Sequence, residues 1–278
     1  MRIKKGPGYF LSRALLCFLV AASFFPFIMM INMALKKTLD IKLHFMAWPA
    51  PGEIYWKNFE KGLSFVGTPI FNSLKVCLVS LILILIMVSM TGYAFGRLKF
   101  AGKNIFFIMV LAVMMIPYTM LLIPNFTIVR GMGLLNTHWA LIVPYIAGQQ
   151  MFGIVLLRTF FESLPQEMFE AAKIDGATEF QTYTRIAMPL SVPSLITVGV
   201  TCVNSMYNDY IWPALVLTLG DENKTFCQIV YNNAAGNGTQ DNGMVAAAFI
   251  IGTLPLLIIT LSCLKYYLAG MLDGAVKG

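Results

Sequence analysis

Few residues of this chain have the types and spacing that covalent chemistry needs. The two histidines, His44 and His138, stand far apart. No HExxH or G-x-S-x-G pattern occurs, and no pair of carboxylates lies within an apolar stretch, so general base, nucleophile and metal site all lack their parts. Gly96–Asn104 has the glycines and lysine of a phosphate-binding loop, but five residues separate Gly96 from Gly102, and Asn104 follows Lys103. A P-loop needs four between its glycines and a Ser or Thr after the lysine, so the segment reads as a basic turn and the chain is not expected to hydrolyse ATP. The five cysteines (Cys17, Cys77, Cys202, Cys227, Cys263) are scattered, with no Cys-x-x-Cys, which argues against a disulfide framework or a metal site. What remains is recognition chemistry. Its acids gather in one place: Glu162, Glu167, Glu170, Asp175 and Glu179 are five of the thirteen in the chain, within or beside Ser163–Pro189.

That segment is a polar interruption between apolar runs. Ser163, Pro165 and Gln166 have the order of a capping box with an early proline, and Thr178 with Gln181 repeats the box. Between them Gly176 tolerates the positive φ that ends a helix. The expectation is two short helices joined by a turn, outside the bilayer. In the first, roughly Leu164 to Ile174, Met168, Phe169 and Ala172 fall on one side, while Glu167, Glu170 and Lys173 are polar. Such a helix either packs on its own bundle or lies in a partner's groove.

The elements around it read as membrane. The chain has 278 residues, 58% hydrophobic and 12% charged, with a mean hydropathy of +0.73. This is a multi-spanning composition rather than that of a soluble domain. Its net charge of +7 comes from basic residues beside apolar runs, which set orientation, and is no sign of nucleic-acid binding. Six charge-poor stretches can cross about 30 Å of hydrocarbon: Ala14–Leu35, Val76–Gly96, Asn104–Val129, Trp139–Leu157, Leu190–Asn208 and Asn242–Leu264. The first is too long for a signal-peptide core and ends in Lys36-Lys37 without a small-residue cleavage site, so it reads as an uncleaved span. The fold class expected is all-α, with six membrane helices. Arg2, Lys4, Lys5 and Arg13 in the N-terminal tail, and Arg97, Lys99 and Lys103 in the second loop, have no acids beside them. They place both termini and the Ser163–Pro189 loop on the cytoplasmic side, although the Lys36–Gly67 loop opposes them with five lysines. That loop, with Trp48, Pro49, Pro51, Tyr55, Trp56 and Phe59, reads as an extracytoplasmic cap.

Within the spans, Pro117 and Pro124 should kink the third, and Gln149 and Gln150 in the fourth need partners. In the fifth, Ser194, Thr197, Thr201, Asn204 and Asn208 recur on one helical face, flanked by Ser191 and Ser205. A polar stripe avoids lipid, so it faces either neighbouring helices or a watery path. Thr197, Thr201, Asn204 and Asn208 are the candidate path residues. Beyond them Asp209 nears the outer interface, where Tyr210 and Trp212 would anchor.

Glu170-Ala171-Ala172, then Gly176, Ile186 and Met188-Pro189 at their spacings, resembles the EAA loop of the permease subunits of binding-protein-dependent ABC importers. Met188 stands where that family usually has Leu. The segments Phe71–Leu74, Gly92–Phe95, Gly131–Thr137, Ala140–Tyr145, Leu157–Phe161 and Ile174–Ala177, and the terminal Gly274–Gly278, are similar to the carbohydrate, maltose-type branch. Tyr207-Asn208-Asp209 matches its usual Trp-Asn-Asp with Tyr for Trp. The resemblance runs from about Trp48 to the end.

It implies a type I importer fold in a bacterial or archaeal cytoplasmic membrane, with residues 1–67 as tail, first helix and outer loop, 68–265 as transporter core with the loop at 163–189, and 266–278 as a cytoplasmic tail. It implies sugar import by alternating access, with Glu170, Ala171, Ala172, Gly176, Ile186, Met188 and Pro189 coupling to ATPases. The implied partners are a second, different permease, two ATP-binding subunits, an extracytoplasmic sugar-binding protein and membrane lipid. ATP and Mg would sit on the ATPases, leaving this chain no cofactor. A permease for a polyamine or phosphate would share the loop but not the sugar-branch segments. A membrane-embedded enzyme lacks its catalytic residues, and a receptor would not show ATPase-dependent uptake.

Overall fold

The computed structural model describes residues 7–235 and 241–275. Residues 1–6 and 276–278, which hold Arg2, Lys4 and Lys5 of the tail and the end of the terminal Gly274–Gly278 segment, lie outside the described residues. The described chain is helical, with no strand. Its helices are α1 (Pro7–Ala34), α2 (Thr38–Leu43), α3 (Lys57–Arg97), α4 (Lys103–Met114), α5 (Leu122–Gly131), α6 (Trp139–Ser163), α7 (Gln166–Ile174), α8 (Glu179–Thr182), α9 (Met188–Tyr207), α10 (Ile211–Val216), α11 (Phe226–Ala235) and α12 (Asn242–Ala275).

Five helical stretches are long and apolar enough to cross a membrane, and a sixth forms if one bent pair counts as a single span. Most exceed the apolar runs that mark them. α3 has 41 residues and α12 has 34, because flanking polar residues continue the hydrogen-bond ladder once the apolar run has started it. The expected third span is instead broken. α4 has 12 residues, about 18 Å at 1.5 Å per residue, too short to cross. After Met115 the chain turns by 94° into a 3-10 turn, Tyr118–Leu121, and then α5. Pro117 supplies no N–H there and forces the residue before it out of the helical region, so the break comes at Pro117, whereas Pro124 is absorbed in the first turn of α5.

The chain forms two compact units, Met1–Gly67 with Val230–Thr253, and Thr68–Ile229 with Leu254–Gly278. In the first, small residues set the packing: Ala34, Ala246 and Ala247 are buried against Met30, Met33, Phe59 and Ile250. Asn58 donates its amide to the carbonyl of Ala34 (2.9 Å), unpaired at the end of α1, and to that of Lys36 just beyond it (2.7 Å). Asp241 accepts from Thr38 at 2.8 Å and pairs with Lys61 at 2.9 Å. Burial pushes its carboxyl up, but Lys61, Thr38 and the Met244 N–H outweigh this and hold it below the usual carboxylate range. Lys36, counted among the loop lysines, is buried and donates to the His44 carbonyl at 2.8 Å.

In the second unit α3, α6 and α9 pack together at glycines. A Cβ on Gly92 would stand 2.7 Å from the Leu157 Cβ, one on Gly96 2.8 Å from the Phe161 Cβ, and one on Gly153 within 2.9 Å of both Val88 and Val198. The Gly92-x-x-x-Gly96 spacing lets two helix backbones approach closely. Trp212, expected at the interface, is instead fully buried, and its indole N–H donates to the Ala140 carbonyl at 2.9 Å. The buried carbonyl gives the indole the partner it needs inside the protein. Asn136 takes a positive φ of 61°, and its side-chain oxygen accepts from the Thr218 and Leu219 N–H groups.

Candidate functional site

The loop between α6 and α9 is built from caps. α7 ends in a Schellman arrangement: the Gly176 N–H donates to the Lys173 carbonyl (3.2 Å) and the Ala177 N–H to that of Ala172 (2.9 Å), with Gly176 at φ +78°. Thr178 and Gln181 make the full reciprocal capping box that starts α8. The other expected box is not made. Pro165 occupies the cap position of α7, the Ser163 hydroxyl turns back to the Phe160 carbonyl, and the Gln166 side chain accepts from Arg97. The guanidinium offers that amide oxygen a charge-assisted bond, stronger than a cap.

The second expected helix is not separate either. α8 runs through a π-turn, Tyr183–Ala187, into α9, making one apolar-cored stretch from Glu179 to Tyr207. Pro189 has no N–H for the Arg185 carbonyl, and the helix ahead of it widens rather than stops. Ile186, Met188 and Pro189 therefore sit where the loop enters the spanning helix, with Ile186 and Met188 half-buried.

α7 divides its residues differently from the expected apolar side. Ala172 is buried and Phe169 half-buried, facing their own bundle, whereas Met168, Glu170 and Ala171 are exposed. Two exposed apolar side chains join them, Ile174 (86%) and Phe180 (68%). The loop thus presents Glu170 beside apolar groups with no covering element among the described residues. A helix of this kind, offering apolar anchors and one charge, suits a groove on another protein. In the sequence Ile174 marks only the end of the first loop helix and a segment of the resemblance, and Phe180 does not stand out from its neighbours; their exposure follows from the turn that Gly176 makes between them.

The stripe on α9 splits into two parts. Ser191, Ser194 and Thr197 are buried, and the Thr197 and Thr201 hydroxyls donate to carbonyls one turn back, Pro193 at 3.1 Å and Thr197 at 2.9 Å. Asn204, Ser205 and Asn208 are exposed, with the Asn208 amide donating to the Asn204 side-chain oxygen at 2.9 Å. Beside this exposed part a cleft of about 430 Å³ is lined by residues including Tyr118, Tyr145, Gln149, Asn208 and Asp209. Gln149 donates to the Ser205 hydroxyl (2.8 Å) and the Tyr145 hydroxyl to Asp209 (2.9 Å). Burial pushes the Asp209 carboxyl up, opposed by the Trp212 N–H, the Tyr145 hydroxyl and the Ile211 N–H. No group of three or more potential metal ligands occurs among the described residues.

A family model described as "Binding-protein-dependent transport system inner membrane component" matches residues 88–271. The chain is 31% identical over 260 residues to the lactose transport system permease protein LacG of Rhizobium radiobacter, covering 92% of this chain and 91% of that protein. It is 29% identical over 263 residues to the trehalose transport system permease protein SugB of Mycobacterium tuberculosis (strain CDC 1551 / Oshkosh), covering 93% and 94%. Among solved structures, a chain of a bacterial ABC transporter involved in the import of the acidic polysaccharide alginate superposes with a TM-score of 0.82, covering 96% of this chain and 99% of that one. At 21% identity that likeness is one of fold.

Proposed function

The chain belongs to the binding-protein-dependent transport system inner membrane component family, and from that premise we propose that it is the permease subunit of an importer that carries a sugar or oligosaccharide by alternating access. It is a transport subunit rather than an enzyme. The substrate class rests on the relatives that carry lactose and trehalose. The observation that carries the coupling role is the exposed α7 helix with its Gly176 cap, held between two spanning helices and offering Glu170, Ala171 and Ile174 outward. Two ATPase subunits, binding ATP and Mg themselves, would dock there. Their closure would be relayed through Ile186, Met188 and Pro189 into α9. A second, different permease would complete the transmembrane pair, and an extracytoplasmic binding protein would deliver the solute. The positive bias of the short loops supports cytoplasmic termini in a bacterial or archaeal cytoplasmic membrane, with residues 1–67 as entry helix and outer loop, 68–265 as core and 266–278 as tail.

Uptake is the test. Proteoliposomes holding the permease pair, the ATPases and the binding protein should accumulate at least one of labelled trehalose, lactose and maltotriose, and only with internal ATP. Accumulation of a polyamine or phosphate with none of the sugars would move the chain to another substrate class. For the path, we propose that the outer stripe and cleft form its wall, while the buried Thr197 serves packing as well. Asn204→Leu keeps volume but removes the amide that partners Asn208, and should reduce uptake several-fold while the complex still assembles. Unchanged rate and apparent affinity would leave the stripe as helix-to-helix packing.

A further inference from the structure

Ser89, Tyr93 and Arg97 lie four residues apart on α3, one above the other on a single helix face. Each reaches a different part of the α6–α9 loop. The Ser89 hydroxyl is 2.8 Å from the Tyr183 hydroxyl, in the π-turn. The Tyr93 hydroxyl donates to Glu179 at the start of α8 (3.2 Å), and its ring packs against Tyr183 with centroids 5.3 Å apart. Arg97, the last residue of α3, makes three contacts across the junction of α6 and α7. It donates to the Gln166 side chain at 3.0 Å and to the Leu164 carbonyl, and its guanidinium lies over the Phe169 ring, 4.0 Å from the centroid. Leu164 caps the C-terminus of α6, so the cation also sits where the α6 dipole favours it. The adjoining face of α3, at Gly92 and Gly96, is pressed against α6.

We propose that the Ser89–Tyr93–Arg97 face of α3 is the positioning element that makes the coupling loop and the inner half of α3 move as one body, with Arg97 as its principal clasp. This rests on the coupling reading given above. A displacement of α7 alone would break the charge-assisted bond to Gln166 and the cation–π contact with Phe169, while a displacement of α7 shared with α3 and the end of α6 breaks neither of these nor the bond to Leu164. The π-turn lies at the loop's other end, where a helix with looser hydrogen bonding can absorb the change in angle. α3 is thus the rigid link and the start of α9 the flexible one.

The experiment is a spin-label distance measurement in the assembled transporter. Labels replace Met90, half-exposed on α3, and Lys173, exposed near the end of α7 and outside the set offered for docking, in a background in which the five cysteines are changed to alanine. In the otherwise unaltered protein the distance should stay narrow and the same with and without ADP trapped by vanadate after ATP hydrolysis. With Arg97→Ala it should broaden and become nucleotide-dependent, and ATP-driven uptake per ATP hydrolysed should fall by about tenfold, within the range that coupling between distant sites commonly spans. Arg97→Lys keeps the charge over Phe169 but cannot bridge two acceptors, and should restore part of the narrow distribution. If Arg97→Ala fails to assemble, Tyr93→Phe and Ser89→Ala, which each remove one hydroxyl, should broaden the distribution instead. A nucleotide-dependent distance in the unaltered protein, or narrow unchanged distributions in the variants that assemble, overturns the proposal. A chain that captures no ATPase at all overturns the coupling reading instead.

Discussion

Gly96→Val, and Gly92→Val with it, is expected to lower the thermal unfolding midpoint of the detergent-solubilised protein and to weaken assembly. The reason is space rather than backbone conformation, since neither glycine has a positive φ. A Cβ on Gly96 would meet the Phe161 Cβ at 2.8 Å and the Arg158 carbonyl oxygen at 3.2 Å; one on Gly92 would meet the Leu157 Cβ at 2.7 Å. A Cβ is fixed to its backbone and cannot swing aside, so the helices themselves must separate. Overpacking of this kind costs about 1–3 kcal/mol per site. The two costs should not add, because once the first substitution has parted α3 from α6 the second meets less resistance. Gly148 is the control. It lies on the same α6, with nothing within 4 Å of its Cβ position, and Gly148→Ala should be neutral or stabilise by about 0.5–1 kcal/mol through helix propensity. If Gly96→Val and Gly148→Ala unfold at the same temperature, the close α3–α6 contact does not exist in the protein.

That contact shows what can and cannot be read along a chain. The spans are readable because crossing hydrocarbon demands a long apolar run, and each run is written consecutively. Their ends are less so: α3 starts at Lys57 and runs on through Pro69, and α12 ends at Ala275, well beyond the apolar cores, since a helix once started gains one hydrogen bond for each residue it adds. Pro117 is visible as a breaker, but the 94° turn it starts depends on what α4 and α5 pack against. In the candidate site, Gly176 and the Thr178–Gln181 box are local devices and appear where their residue types place them. The Ser163–Gln166 box has the same local form and fails, because Arg97, 69 positions away from Gln166, competes for the glutamine. The partners of Ser89 and Tyr93 are 94 and 86 residues distant. No periodicity in an apolar helix marks three polar residues as facing a loop that far along the chain.

Gly176→Pro and Glu170→Lys are expected to leave the permease in the membrane while breaking its link to the ATPases, by two separate routes. At Gly176 the obstacle is conformational. Its Cβ position is open, with nothing within 4 Å, but φ is +78°, and the proline ring holds φ near −65°. The substitution also removes the N–H that satisfies the Lys173 carbonyl. Undoing the Schellman cap costs about 3 kcal/mol or more, as proline does wherever its φ and missing N–H conflict with the fold, and α7 is left with no fixed angle to α8. Glu170 differs: it is exposed, so the lysine disturbs no packing within the chain. Its effect should appear only at the docked interface, where truncating one partner of a desolvated charge pair costs about 2–5 kcal/mol and a reversed charge adds repulsion. The measurement is co-purification of the ATPases with each variant, beside ATP turnover stimulated by solute-loaded binding protein. Gly176→Pro should lose both. Glu170→Lys should lose docking while its thermal unfolding in detergent stays that of the unaltered chain, and Glu170→Gln, which keeps shape without charge, should fall between. Should both variants retain their ATPases, stimulated turnover and uptake, α7 is a surface connection, and the energy of ATP enters this protein somewhere else.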